Sequence, residues 1–370
     1  MSLSQSLVRA AAPPRAKDDT TGAEPVRIWL LAVAGLIFSM VVVGGATRLT
    51  ESGLSITEWA PVTGAIPPLS AEAWRAAFSA YKQIPQYHQL FPDMTLSEFR
   101  TIYLWEWGHR LLARILGAAF ILPLLLFWHQ GRLRGRLGRQ LLVPTFLLAL
   151  EPIVGWWMVA SGLTERVEVS QVRLAAHLLI AAATFGALLW IAAGLRETRS
   201  GATAAQFKFA AAILTMLIFC QIGAGALVAG LRAGLIDNSW PLMEGRLIPS
   251  DLWPLTPWWR NLFEDAAGAQ FEHRLLAYVI VIFALAQAFA ARRAGGATPL
   301  ASRAMWLAAL ALAQAAIGVV TLIFVVPIVA ALLHQAFAML LFGAAVIHWR
   351  FTLSVQEGPE AATYRSAATG

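Results

Sequence analysis

Cysteine is almost missing from this chain: Cys220 is the only one in 370 residues. It lies in an apolar run, so an intramolecular disulfide is excluded and a thiolate metal centre is not supported. Charge is scarce too, at 13% of residues, against about 25% in an ordinary soluble domain. Hydrophobic residues reach 58%. Together these exclude a soluble domain and describe a chain that crosses a membrane repeatedly, with lipid as its main surroundings. The net charge of +7 does not imply nucleic acid, because the basic residues cluster in short segments between apolar runs. The first 26 residues lack an apolar core and a small-residue cleavage site, which excludes a signal peptide. Pro13-Pro14 would break an amphipathic presequence helix. Residues 1–26 are therefore expected to be a disordered cytoplasmic tail of a bacterial protein.

What is present is a set of long apolar runs. A spanning helix needs roughly 20 mostly apolar residues. Eight stretches qualify, at about 27–47, 104–128, 140–161, 171–195, 207–230, 271–292, 302–324 and 328–349. Pro327 is the break between the last two. The 15 tryptophans suit interfacial belts. Arg132, Arg134, Arg136 and Arg139 crowd one connection; Arg196, Arg199 and Lys208 lie in another; Arg292, Arg293 and Arg303 lie in a third; Arg350 follows the last span. All fall on one side, which the positive-inside rule assigns to the cytoplasm. Both termini are then cytoplasmic, in a bacterial inner membrane, and loops 48–103 and 231–270 are external. The first loop is too long to be structureless. Within it, residues 93–100 predict a short helix with Thr95 as N-cap and Glu98 three residues on.

The chain repeats itself. Glu106-Trp107-Gly108-His109-Arg110 opens one apolar run, and His109-Arg110-Leu111-Leu112-Ala113 recurs as His273-Arg274-Leu275-Leu276-Ala277. Gly53-Leu54 and Trp59 match Gly234-Leu235 and Trp240, and Glu151 to Gly155 match Gln314 to Gly318. Each copy holds one further intramembrane histidine, His177 or His334. Four helices per copy is an even number, so the copies enter the membrane in the same orientation. The expected fold is an all-α polytopic membrane protein whose eight transmembrane helices form two repeated four-helix bundles. The first bundle spans 27–195 and the second 208–350, with a cytoplasmic linker at 196–207 and a cytoplasmic tail at 351–370.

Ionisable groups at membrane depth mark function by default. His109, His177, His273 and His334 fall at one depth near the external side; His129, His348 and His88 fall elsewhere. Two imidazoles facing each other inside a four-helix bundle suit a haem iron. Zinc fits less well, because no cysteine or carboxylate set completes a tetrahedron. A lone membrane histidine is often only a helix contact, but two pairs in register argue against that. Arg110 and Arg274 are candidates both for haem propionates and for snorkelling to headgroups. Glu106 shares a helix face with His109, so it can accept a proton or stabilise positive charge near the first pair. Its bland alternative is a salt bridge to Arg110. Gly268, Ala269 and Gln270 precede Phe271, so no carboxylate stands three residues ahead of His273; Glu272 should point about 100° away on the helix. Glu151, beside Pro152, is read as a protonated core group before a proton path or a kink partner.

These residues resemble the haem A synthase family, the bacterial and mitochondrial membrane enzymes that convert haem O to haem A. The likeness runs from about 27 to 350. It includes Gly44-Gly45-Ala46-Thr47-Arg48 through Ser55, Trp59 to Pro68, Glu106 to Arg110, Gly155-Trp156-Trp157-Met158-Val159, Ser161-Gly162-Leu163 and His273-Arg274. The absence of external cysteine pairs places the chain nearest the proteobacterial and mitochondrial branch and excludes a thiol role; Glu151 stands where that branch has glutamine. The resemblance implies oxidation of a ring methyl of haem O to a formyl group, with Glu106 as the reactive carboxylate. It further implies His109 and His177 as axial ligands of the substrate haem, and His273 and His334 as axial ligands of a haem b that passes electrons. The implied partners are haem O, the haem O synthase that supplies it, an unidentified electron-transfer partner and a second copy of the chain. The rival readings are a di-haem b protein exchanging electrons with quinone, which leaves Glu106 unexplained, and a transporter, since two repeated bundles are common there.

Overall fold

The structure is a computed structural model that describes residues 20–164, 166–196, 202–250, 252–296 and 298–354. The expected tails before Thr20 and after Ser354 lie outside the described residues. Among the described residues, eight helices are long and apolar enough to cross a membrane. They are α1 (Thr20–Leu49), α2 (Leu96–His129), α3 (Arg136–Ala160), α4 (Gln171–Gly194), α5 (Lys208–Gly230), α6 (Ala266–Gly295), α7 (Pro299–Ile323) and α8 (Ile328–Thr352). The described residues contain no strand beyond one bridge between Met243 and Arg246. Exposed leucine, isoleucine and phenylalanine along every span except α4 are what a lipid-facing surface requires.

Three expectations shift. α1 begins at Thr20, so residues 20–26 are helical, and Val26 is buried. Part of the expected linker, Ala202–Gln206, is a short helix. Thr95 does carry a capping box with Glu98, but the helix it opens is α2 itself. The mixed composition of 96–103 hides this continuity from a hydropathy reading. α2 is 34 residues long, about 51 Å, so it extends beyond the apolar run. His109 consequently sits about 20 Å from the start of its helix, where the sequence placed it at the opening.

α4 lies centrally, packed on α1, α3, α5 and α8, and α1 also meets α2 and α8. α5 packs on α6 and α8, and α7 packs on both α6 and α8. One continuous apolar core runs through these contacts and includes Leu30, Phe120, Leu188, Leu214, Met339 and Phe342. At the middle of the molecule equivalent residues meet reciprocally. A Cβ on Gly186 would stand 3.0 Å from the Phe342 ring, and one on Gly343 would stand 3.0 Å from the Phe185 ring.

The segment between α1 and α2 is built, not slack. It carries helices Ala71–Tyr81 and Pro85–Leu90. Leu54, Phe78, Tyr81, Ile84, Phe99 and Val169 form a second small core there. The α7–α8 turn is tight: Val325 and Val326 both adopt left-handed φ values, 61° and 56°, which β-branched residues rarely do. Asn238 ties the segment after α5 to this turn by donating to the Leu322 carbonyl at 2.8 Å.

Candidate functional site

The four histidines identified from the repeat stand on α2, α4, α6 and α8, and each ring lies against a glycine of the preceding helix. A Cβ on Gly44 would come within 3.1 Å of His109 Nε2; one on Gly155 within 3.0 Å of His177 Cε1; one on Gly225 within 3.2 Å of His273 Cε1; one on Gly318 within 2.8 Å of His334 Cε1. Gly44 and Gly225 are equivalent positions of the repeat, aligned by Leu36-Ile37-Phe38 and Leu217-Ile218-Phe219. Gly155 and Gly318 are equivalent too. The glycines let the rings pack flush on a neighbouring backbone, so each imidazole is aimed at a helix and away from lipid. The His273 and His334 rings face each other with centres 6.3 Å apart and planes 73° apart.

Glu106 is almost completely buried, at 3% exposure. Its Oε1 accepts from Arg110 Nε at 3.0 Å and Nη2 at 2.6 Å. Its Oε2 accepts from the Ser55 hydroxyl and the Ile56 N–H, both at 2.7 Å. A carboxylate has about four acceptor positions, and four donors occupy them here. Arg110 also donates to the carbonyls of Ile56 and Glu58, each at 2.8 Å. Arg114, one turn on, holds the carbonyls of Ala60 and Pro61 at 2.8 and 2.9 Å. The strip 55–61 is thereby laid down along α2, on the face that carries Glu106, Arg110 and Arg114. The i,i+4 pair foreseen as the bland alternative is thus present.

The second half repeats the clamp without the acid. Arg274 donates to the carbonyls of Asp237 and Ser239 at 3.2 and 2.9 Å, the positions equivalent to Ile56 and Glu58. Gln270 replaces Glu106, is equally buried, and donates to the Asp237 carbonyl at 2.8 Å. Arg274 Nε and Gln270 Oε1 are buried without a hydrogen-bond partner among the described residues. Glu272 points elsewhere, as its register required, and accepts from Trp253 Nε1 at 3.3 Å.

Glu151 lies on α3 with Oε2 2.5 Å from Nδ1 of His177, a contact off the line of an ideal hydrogen bond. The reading of Glu151 as a protonated core group did not include this partner. Its equivalent, Gln314, places its amide nitrogen 3.2 Å from His334 Nδ1 and donates to the His334 carbonyl at 3.1 Å. Gln221 of α5 does the same to His273, at 3.1 and 2.9 Å. Gln221 carried no sequence signal, since Met40 occupies its place in the first copy. Gly155 and Gly318 were visible in the repeat, but their contact with histidines was not.

The remaining histidines are apart from this layer. His88 is exposed, His129 ends α2, and His348 is 2% exposed near the far end of α8. Cys220 is exposed on α5. Between the halves, Glu51 and Arg232, themselves equivalent positions, are ion-paired, and both have positive φ. Glu168 bridges Arg48 and Arg232 in the same cluster. Burial pushes the Glu51 carboxyl upward against the pull of Arg48 and Arg232.

The donor set fits haem better than a bare ion. Among the described residues no three His, Cys, Asp or Glu gather to hold a metal, whereas a haem iron asks the protein for axial ligands alone. Two imidazole nitrogens each about 2 Å from one metal put their ring centres on the order of 6 Å apart, which the His273–His334 spacing meets.

Comparison with known proteins gives a consistent result. Residues 27–346 match the model of a family described as "Cytochrome oxidase assembly protein". The chain is 51% identical over 332 residues to a Beijerinckia indica protein named "Heme A synthase", covering 88% of this chain and 92% of that one. A Bradyrhizobium diazoefficiens protein of the same name is 51% identical over 346 residues, 93% of each chain. One from Rhodopseudomonas palustris strain BisB18 is 53% identical over 324 residues, 87% and 89% of the two chains.

Proposed function

Because this chain belongs to that family of cytochrome oxidase assembly proteins, we propose that it makes haem A by oxidising a ring methyl of haem O to a formyl group. The observation that carries this reading is a duplicated pair of glycine-seated histidines, with acids at two register positions of the first pair, Glu106 and Glu151, where the second has Gln270 and Gln314. In this reading the chain forms two four-helix bundles, α1–α4 and α5–α8. His109 and His177 bind the substrate haem in the first; His273 and His334 hold a haem b in the second, which supplies one-electron transfer when bound. The assignment of substrate to the first bundle has a second support. α2 and α3 do not pack closely, while their equivalents α6 and α7 do. A haem with a long isoprenoid tail needs such a side opening to lipid; a resident cofactor does not.

Glu106 is the catalytic carboxylate of this proposal, and its geometry limits what it can do. With every acceptor position taken, it can receive a proton only after releasing Ser55, Ile56 or Arg110. Its simpler role is a fixed charge in a low-dielectric site, worth a few kcal/mol where positive charge develops. Arg110 is committed to Glu106 and the strip above it. Arg274, with an unpaired Nε, retains a donor for a haem carboxylate. The small core around Tyr81 and Phe99 lies at the same end. By the arginine distribution, this end faces the bacterial periplasm and both termini face the cytoplasm. A haem O synthase is the expected supplier of substrate.

Extraction and mass analysis of haems from the purified protein test the reading. Haem b together with haem O, haem A or a hydroxylated intermediate is expected. Haem b alone, with unchanged haem A in cells lacking the protein, would overturn it in favour of electron transfer. A periplasm-dependent reporter should work when fused near Pro92 or Ser250 and fail near Arg136.

A further inference from the structure

Glu151 is an acid that the proposed chemistry leaves unused, and unlike Glu24, Glu98 and Glu272 it lies in the interior of its span, more than two turns from either end. It is mostly buried, at 18% side-chain exposure. A carboxylate at membrane depth is costly unless it has work or a partner. Its only close partner among the described residues is His177, through Nδ1 and not through Nε2. In the second half the amide of Gln314 takes this place beside His334. The two sites therefore share the histidine, the glycine seat and the register, and differ in the group behind the ring.

We propose that Glu151 is a positioning residue for the first haem site. A small turn of the His177 ring would bring its Nδ1–H onto Glu151 Oε2, 2.5 Å away; by accepting it, Glu151 fixes the tautomer that leaves Nε2 free for iron, holds the ring plane, and makes that ligand more basic than His334. The proposal rests on the haem reading of the four histidines. Metal-bound imidazoles commonly donate their second nitrogen to such a partner, and loss of the partner costs roughly ten- to a hundredfold in metal affinity. A more basic axial ligand favours the ferric state and lowers the reduction potential. The glutamine in the second half does this less, so the first site should sit at lower potential than its equivalent. Pro152 next to Glu151 offers a competing structural account, in which the acid only accompanies a helix irregularity.

The test uses the full-length protein with bound haem, following potential by optical redox titration and ligand field by EPR. In a His273→Ala background, which isolates the first-half haem, Glu151→Gln should raise the midpoint potential and shift the low-spin g-values. Haem affinity should fall by about ten- to a hundredfold, and Glu151→Asp should recover part of both changes. In a His109→Ala background, Gln314→Glu should lower the potential of the second-half haem; this arm adds an interaction and does not depend on the stability of Glu151 variants. Unchanged potentials and g-values in both arms, with haem bound, would overturn the positioning role and leave the haem reading standing. Absence of low-spin haem from the unaltered protein would overturn both.

Discussion

The two halves of this molecule repeat the same histidine seats and line them with different groups. Both seat two imidazoles on glycines, and both clamp a loop strip with an arginine one residue after the first histidine. The first half places Glu106 and Glu151 where the second has Gln270 and Gln314. Glutamate and glutamine have nearly the same shape, so the packing is kept while charge and acceptor capacity change. The first half is also open between α2 and α3, where the second is closed between α6 and α7. The lesson is that a duplicated pattern can keep its histidine seats while the groups and helix contacts beside them change; under the proposed reading, a closed, amide-lined site suits a resident group and an open, acid-lined one a reacting group.

The largest effect should come from removing a ligand. His273→Ala or His334→Ala should abolish the haem b spectrum of the second half. His109→Ala or His177→Ala should leave that spectrum and stop haem A formation, as read by haem extraction. If all four variants keep full low-spin spectra, the division between the halves is wrong.

Next in size is the exchange of acid for amide. Glu106→Gln should retain haem but slow haem A formation by roughly a hundredfold, as loss of a few kcal/mol at the barrier requires. The reciprocal Gln270→Glu should leave the rate unchanged. Because Glu106 also anchors Arg110, Ser55 and Ile56, the same variant should unfold at lower temperature. A normal rate with a lowered Tm would make Glu106 an anchor and no more.

The glycine seats should give a graded series. Alanine should cost most at Gly318, where the new Cβ would lie 2.8 Å from His334, and least at Gly225, where the distance to His273 is 3.2 Å. Overpacking of this kind costs about 1–3 kcal/mol, and should appear as lower haem occupancy and Tm. Equal effects at all four positions would show that the seats are not set by contact with the rings.

The smallest difference is in pH response at the loop end. Burial raises the Glu51 carboxyl above its ordinary value of 4.5. Its contribution is then fully present below that value and lost as pH rises through the folded one. Burial acts upward on Asp237 as well, but hydrogen bonds from the Ser239 N–H and hydroxyl and the Glu244 N–H, with Arg274 nearby, bring it below 3.8. Its contribution is present above 3.8 and lost as pH falls through the lowered value. Thermal unfolding between about pH 3 and 6 should show opposite slopes for the differences made by Glu51→Gln and Asp237→Asn. Matching slopes would break this part of the comparison.

The amino-acid sequence by itself determined the eight spans, the repeat and the four histidines. Each rests on a local pattern: an apolar run long enough for a bilayer, or a five-residue string that recurs. It also marked Glu106 as unequal, because the absence of an acid before His273 can be read directly. Tertiary structure decided the rest. Glu151 and His177 lie on different helices, and no local spacing announces that Oε2 meets Nδ1. The saturation of Glu106 depends on Ser55 and Ile56 arriving from a distant loop. The open side of the first half depends on how helices pack, which hydropathy does not encode because lipid-facing and helix-facing residues are equally apolar. Composition fixes what must enter a membrane; only side chains meeting across helices fix which buried groups are satisfied, and so which remain able to act.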